Sequence, residues 1–136
     1  MMANQLKTIL YVEDDPDILT IAKVALGNVG DFDVRACSSG VEALSILETY
    51  QPDLIMLDVM MPDMDGPETL RRIRKMPELA NTPVIFLTAK VQVDEVVRYK
   101  EMGAVEVISK PFDPMTLAQT ISKIWTGVKH LDKLSS

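Results

Sequence analysis

A single cysteine, Cys37, stands in 136 residues. An intramolecular disulfide is therefore excluded, and so are zinc motifs built from four cysteines. The one histidine, His130, falls near the C-terminus with no partner residues beside it for metal binding or catalysis. Long apolar runs are also missing. None approaches the roughly 20 residues that a membrane span needs. Met1 to Lys7 is polar, and the apolar run that follows it, Thr8 to Val12, does not resemble a secretory leader, so the chain is expected to be cytoplasmic. Basic residues do not dominate: 14 Lys and Arg face 20 Asp and Glu, a net charge of -6. That argues against a nucleic-acid-binding surface covering the protein, because phosphate contacts need clustered Lys and Arg. No repeat, low-complexity tract or linker divides the sequence, so one domain is expected over residues 1–128, followed by a frayed tail over 129–136.

What is present is an alternation of short apolar runs and helical patterns. Lys7 to Val12 is the first predicted strand. Asp15 and Pro16 then form a cap and a first helical position, with Ile18, Ile21, Ala22, Ala25, Leu26 and Val29 at helical spacing behind them. Gly27 and Gly30 are expected to end that helix. Phe32 to Ala36 is a second strand. Ser39-Gly40-Val41-Glu42 matches a capping box and opens a helix toward Tyr50. The run Leu54-Ile55-Met56-Leu57 reads as a short buried strand ending at Asp58. A turn-rich loop follows, then a helix from Pro67 to Lys75, a strand at Pro83 to Leu87, and a helix from Asp94 to Met102 stopped by Gly103. A weaker strand at Val105 to Ile108 precedes a last helix that starts at Asp113-Pro114, with Leu117, Ile121, Ile124 and Val128 on one face.

Five strands alternating with five helices imply right-handed crossovers and a parallel sheet covered on both faces. All strands of such a sheet end at one edge, where open α/β sheets bind their ligands. The residues gathered there are Glu13, Asp14 and Asp15 after the first strand, Asp58 after the third, Thr88 and Ala89 after the fourth, and Lys110 after the fifth. Converging carboxylates repel one another unless a cation compensates. An all-oxygen donor set favours a hard cation such as Mg2+. A metal bridging carboxylate and phosphoryl oxygens admits a phosphate, a lysine and a hydroxyl bind further phosphoryl oxygens, and a carboxylate can itself attack phosphorus. The set suits reversible phosphorylation of a carboxylate.

With these residues in view, the chain resembles the receiver domain of bacterial two-component response regulators over roughly Lys7 to Val128. The matching segments are Ile9 to Pro16 (ILYVEDDP), Pro52 to Asp58 (PDLIMLD), Met61 to Gly66 (MPDMDG), Leu87-Thr88-Ala89 and Ser109-Lys110-Pro111-Phe112. Each is weak alone; five in order, at the right strand ends, are specific. The resemblance implies a flavodoxin-like doubly wound (βα)5 fold with strand order 2-1-3-4-5. It implies that Asp58 accepts a phosphoryl group from a histidine kinase or histidine phosphotransferase. It gives Asp14 and Asp58 as direct Mg2+ ligands, Glu13 as one acting through water, and the Met60 backbone carbonyl as a further ligand. Thr88 and Lys110 match the switch hydroxyl and the phosphate-binding lysine, and the Lys110-Pro111 bond is expected to be cis. A chemotaxis-type stand-alone receiver, monomeric or weakly dimeric, would then present the surface of its fourth helix, fifth strand and fifth helix to a downstream protein partner, with no nucleic acid or membrane contact of its own.

The sequence departs from the family pattern at identifiable places. Val107 stands where an aromatic is usual, and Glu13-Asp14 replaces the commoner pair of aspartates. Met60 and Lys90 occupy positions that tune phosphoryl lifetime in the family, and Met60 is expected to shield the acyl phosphate from water. Asp15 reads as a helix cap, Asp63 and Asp65 as turn formers, Cys37 as an inert, partly buried thiol and Trp125 as core. Three rivals stay open at this point. A phosphatase of the aspartyl-phosphate type needs a second acid two residues after its nucleophile, where Met60 stands. A flavin carrier needs a hydroxyl-rich phosphate loop where Glu13-Asp14-Asp15 stands. A receiver-like adaptor would no longer take phosphate.

Overall fold

Strand residues buried on both faces have no polar side to show to water, and this governs the architecture. The computed structural model describes residues 5–135, with side chains through Lys129. Strands β1 (Thr8–Val12), β2 (Asp33–Cys37), β3 (Leu54–Asp58), β4 (Val84–Thr88) and β5 (Glu106–Ser109) form one parallel sheet in the order 2-1-3-4-5. Every residue of β3 and β4 is buried, whereas the edge strands β2 and β5 are partly exposed. That contrast explains why the central runs are continuous in sequence and the edges weaker. The helices are α1 (Pro16–Lys23), α2 (Gly40–Leu47), α3 (Gly66–Ile73), α4 (Val93–Glu101) and α5 (Leu117–Ser135).

Alternation along the strands sorts side chains into two cores. Leu10, Val12, Ile55, Leu57, Val84 and Phe86 meet Ala43, Leu47, Leu70, Ile73 and Tyr99 of α2, α3 and α4. Ile9, Tyr11, Leu54, Met56, Ile85 and Leu87 meet Ala22 of α1 and Leu117, Ala118, Ile121 and Trp125 of α5. Trp125 is buried, as expected for core. It lies beside Pro52, Asp53 and Pro83, which precede β3 and β4, so it sits at the sheet edge opposite Asp58.

Helix ends follow their caps. The Asp15 side chain accepts from the Asp17 and Ile18 amides, and Asp65 accepts from the Glu68 amide. The capping box at Ser39 is half as predicted: Ser39 accepts from the Glu42 amide, but Glu42 reaches the Ser38 amide instead of that of Ser39. Several boundaries differ from the sequence reading by one to three residues. The first helix does not stop at Gly27 but winds on as a π-helical segment, Val24–Val29, and ends at Gly30. A Cβ at Gly30 would lie 2.6 Å from that of Ala118, so a bare residue is needed where this end meets α5. Asp113-Pro114 opens a turn, with the Asp113 carboxylate accepting from the Met115 amide, and α5 begins only at Leu117. A short 3-10 turn, Pro77–Leu79, had no clear periodic signal. The expected frayed tail is helical instead, since α5 runs to Ser135. Val128, Leu131 and Leu134 continue the helical spacing that the sequence reading ended too early. The His130 side chain lies outside the described residues.

Cys37, at the end of β2, is 3% exposed. Burial, and then the negative charge of Glu42, push its thiol up to about 12. The thiolate is the reactive form, so raising the pKa suppresses reaction. Maleimide labelling at pH 8 is expected to be far slower for the native protein than for protein unfolded in guanidinium. Equal rates would contradict the burial of Cys37.

Candidate functional site

Three backbone hydrogen bonds carry the sheet one residue past its strands. The amides of Glu13, Val59 and Lys110 donate to the carbonyls of Cys37, Leu87 and Thr88 at 3.0, 3.0 and 2.9 Å. Glu13 and Lys110 are thus fixed as though still in strands, and Asp58 is the last residue of β3. Their faces follow from alternation. Glu13 continues the Ile9 and Tyr11 face, Asp58 the Leu54 and Met56 face, and Lys110 the Ile108 face. Thr88 follows Val84 and Phe86 on the opposite face of the sheet.

Glu13 and Asp58 are each 1% exposed. Two carboxylates this deeply buried and this close cannot both ionise without a cation. Lys110 supplies one: its Nζ lies 3.1 Å from Glu13 Oε1 and 2.9 Å from Asp58 Oδ1. The second oxygen of Glu13 accepts from the Asp15 amide at 3.2 Å. Burial, and then the adjoining Asp58 carboxylate, nevertheless push the Glu13 carboxyl up to about 7. Burial acts to lower the Lys110 pKa, but hydrogen bonds to Asp58 and Glu13 outweigh it, and the ammonium is held above its ordinary value. The cluster therefore has more negative charge than one lysine balances.

Glu13, Asp14 and Asp58 each offer a carboxylate oxygen within 4.8 Å of one another, with Asp14 exposed to solvent. That is an all-oxygen set with one open side, the arrangement that suits a hard divalent cation keeping part of its water shell. Thr88 is 4% exposed. Its hydroxyl accepts from the Lys90 amide at 3.3 Å, which leaves its proton free to be donated. Lys110-Pro111 is cis, as the resemblance implies. The Met60 side chain is 74% exposed beside the site. Asp63 has a positive φ of 68°, a conformation aspartate tolerates in turns, and Asp65 caps α3, so both serve the loop.

Two residues of the site were not singled out in the sequence. A Cβ at Gly66 would come within 2.5 Å of the Asp58 carbonyl oxygen, and the Gly66 amide donates to the Val59 carbonyl at 2.8 Å. The start of α3 is thereby pressed against the backbone that carries Asp58. A lone Gly after Asp65 reads only as turn chemistry. Tyr11 lies one pleat below Glu13 and looks like any strand aromatic.

Compared with known families, residues 9–122 match the response regulator receiver domain. The alkaline phosphatase synthesis transcriptional regulatory protein PhoP of Bacillus subtilis is 38% identical over 118 residues, covering 87% of this chain and 48% of PhoP. The chain spans about half the length of curated relatives that it matches. Among solved structures, the chemotaxis response regulator CheY4 of Vibrio cholerae superposes with a TM-score of 0.81 at 29% identity, covering 88% of this chain and 99% of that one. The Mn(2+)-bound form of response regulator Rcp1 gives a TM-score of 0.71 at 27% identity, covering 87% and 91%.

The charge balance has a testable consequence. Lys110→Met keeps the stem and removes the ammonium, leaving two buried carboxylates uncompensated. In metal-free buffer this is expected to cost about 2 kcal/mol by urea unfolding, somewhat less than the loss at a fully enclosed pair. Added Mg2+ is expected to narrow the gap, since a cation bound only by the folded state stabilises it. An unchanged midpoint without metal would show that Lys110 does not hold the pair.

Proposed function

The chain belongs to the response regulator receiver domain family, and on that premise we propose that Asp58 is its phosphoacceptor, with Glu13, Asp14 and Asp58 holding Mg2+. The observation that carries this reading is the Lys110 ammonium seated between two buried carboxylates, with a third, exposed carboxylate beside them. A fixed cation there answers charge already present and is positioned to answer charge brought in. Mg2+, when bound, neutralises carboxylate and phosphoryl oxygens at once.

The chain's own groups have distinct tasks. An Asp58 carboxylate oxygen attacks the phosphorus of a phosphohistidine on the donor protein. The new O–P bond forms as the P–N bond breaks, and the electron pair leaves on the imidazole nitrogen, which takes a proton. Lys110 turns from the carboxylates to a phosphoryl oxygen, and Thr88 donates its hydroxyl proton to another. The Met60 carbonyl would be a further metal ligand, and its exposed side chain, two residues after Asp58, would hinder water at the acyl phosphate. Hydrolysis returns Asp58 and inorganic phosphate. Residue for residue this is transfer and storage of a signal, so the domain acts as a relay and not as an enzyme on external substrates.

The donor is a histidine kinase or histidine phosphotransferase, in the cytoplasm, and the output is read by a protein partner. No helix among the described residues is long and apolar enough to cross a membrane. The readout surface is that of α4, β5 and α5. On α4 it carries Val93 and Val97, 82% and 51% exposed and one helical turn apart, an apolar stripe suited to a protein partner. Phosphorylation shifts the population toward the surface geometry that binds phosphoryl more tightly.

Incubation with Mg2+ and acetyl phosphate is expected to add one phosphoryl group to the wild type by intact mass, labile to hydroxylamine. No adduct is expected with Asp58→Asn or with EDTA. Absence of an adduct in the wild type with Mg2+ present would remove the phosphoacceptor assignment. Met60→Asn is expected to speed dephosphorylation about tenfold, a barrier change of about 1.4 kcal/mol. An unchanged lifetime would remove the shielding role.

A further inference from the structure

We infer that Tyr11 is a positioning residue of this site, whose hydroxyl donates a hydrogen bond to the Glu13 carboxylate when Lys110 leaves it for a bound phosphoryl group. The inference rests on the phosphoacceptor reading above.

Tyr11 is fully buried in the middle of β1. Among the described residues its hydroxyl is the buried side-chain polar atom with no hydrogen-bond partner. Burying a hydroxyl unpaired is unfavourable, and phenylalanine would fill nearly the same space without that penalty. The position of the ring supplies a reason for the hydroxyl. Tyr11 pairs in register with Met56. Tyr11 and Met56 lie two residues before Glu13 and Asp58, so by alternation all four side chains share one face of the sheet. A phenol is a neutral O–H near neutral pH, so the group on the same face as the two carboxylates is able to donate.

The requirement for such a donor arises during the reaction. At rest Lys110 Nζ serves both Glu13 Oε1 and Asp58 Oδ1. Once Lys110 turns to a phosphoryl oxygen, the Asp15 amide, at the other oxygen, is the protein donor that Glu13 keeps beside any bound Mg2+. Glu13 is 1% exposed, so bulk water cannot replace the lost donor. Thr88 belongs to the opposite face and is committed to the phosphoryl group. Tyr11 is the unused donor on the correct face. Its hydroxyl is unpaired in the resting state, in which Lys110 serves Glu13 Oε1.

Tyr11→Phe tests this, since the ring that fills the core is retained. The probe is beryllofluoride, a tetrahedral mimic of a carboxylate-bound phosphoryl group, titrated at saturating Mg2+ and followed by fluorine NMR. Tyr11→Phe is expected to weaken beryllofluoride binding by about tenfold, as for one hydrogen bond to a charged acceptor. Its affinity for Mg2+ alone is expected to stay at the wild-type value. Its unfolding midpoint in metal-free buffer is expected to equal or exceed that of the wild type. Met56→Leu, which repacks the neighbouring core position without touching a donor, is expected to leave beryllofluoride affinity unchanged. Wild-type affinity in Tyr11→Phe would overturn the inference while leaving the phosphoacceptor reading intact. An equal loss in Met56→Leu would also overturn it, by making the effect one of packing. A wild type that takes up no beryllofluoride at any Mg2+ concentration would overturn both together.

Discussion

An ammonium group held 3.1 Å from one buried carboxylate and 2.9 Å from another is the contact on which the rest of this site depends. Charges removed from water are costly unless paired, and Glu13 and Asp58 are almost wholly removed from it. Lys110 offsets that cost at rest. Because a lysine is a mobile point charge on a flexible stem, the compensation is transferable. The same group that stabilises the resting site can serve an incoming phosphoryl oxygen, provided another cation and another donor take over the carboxylates it leaves. Asp14, exposed, extends the acidic set toward solvent, and Tyr11 lies two residues before Glu13 on the same face of β1.

The scaffold keeps this balance by supplying its parts from rigid elements. The acid residues and the lysine come from three strand ends, each pinned by a ladder hydrogen bond that runs one residue beyond the strand. The strands cannot slide, because a shift of one residue would turn apolar side chains out of both cores. Gly66 adds a second restraint, bringing the start of α3 against the Asp58 carbonyl. On the opposite face, Val107 pairs with Phe86, and Tyr99 of α4 packs edge-on against Phe86 with ring centroids 5.1 Å apart. Tyr99 and Val107 belong to the same apolar cluster on this face. Thr88 belongs to the same face, two residues beyond Phe86.

Much of this was legible in the sequence because it is written in short-range patterns. The buried strands are continuous apolar runs, and Asp15, Asp65 and Ser39 are caps whose side chains serve the next turn of backbone. Parallel topology then carried Glu13, Asp14, Asp58, Thr88 and Lys110 to one edge without further information. What was not legible depends on distances between elements. Local residue types do not mark the π-helical segment after Lys23, and Asp113-Pro114 looks the same whether it starts a helix or a turn before one. The end of α5 is obscured for a different reason: polar residues between Val128, Leu131 and Leu134 interrupt a helical spacing that continues in the sequence. Tyr11 could not be noticed from sequence at all, since an unpaired hydroxyl is visible only when every neighbour is in place.

On the proposed reading, the charge arrangement around Lys110 serves to place a phosphoryl group on Asp58. Borohydride reduction of the acetyl-phosphate-treated, Mg2+-loaded protein tests it most directly, because borohydride cleaves acyl phosphates and marks the carboxyl that carried them. Peptide mass spectrometry is expected to find the reduced carboxyl at residue 58 alone. Reduction at Glu13, at Asp14 or at any other acid in place of Asp58 would contradict the account.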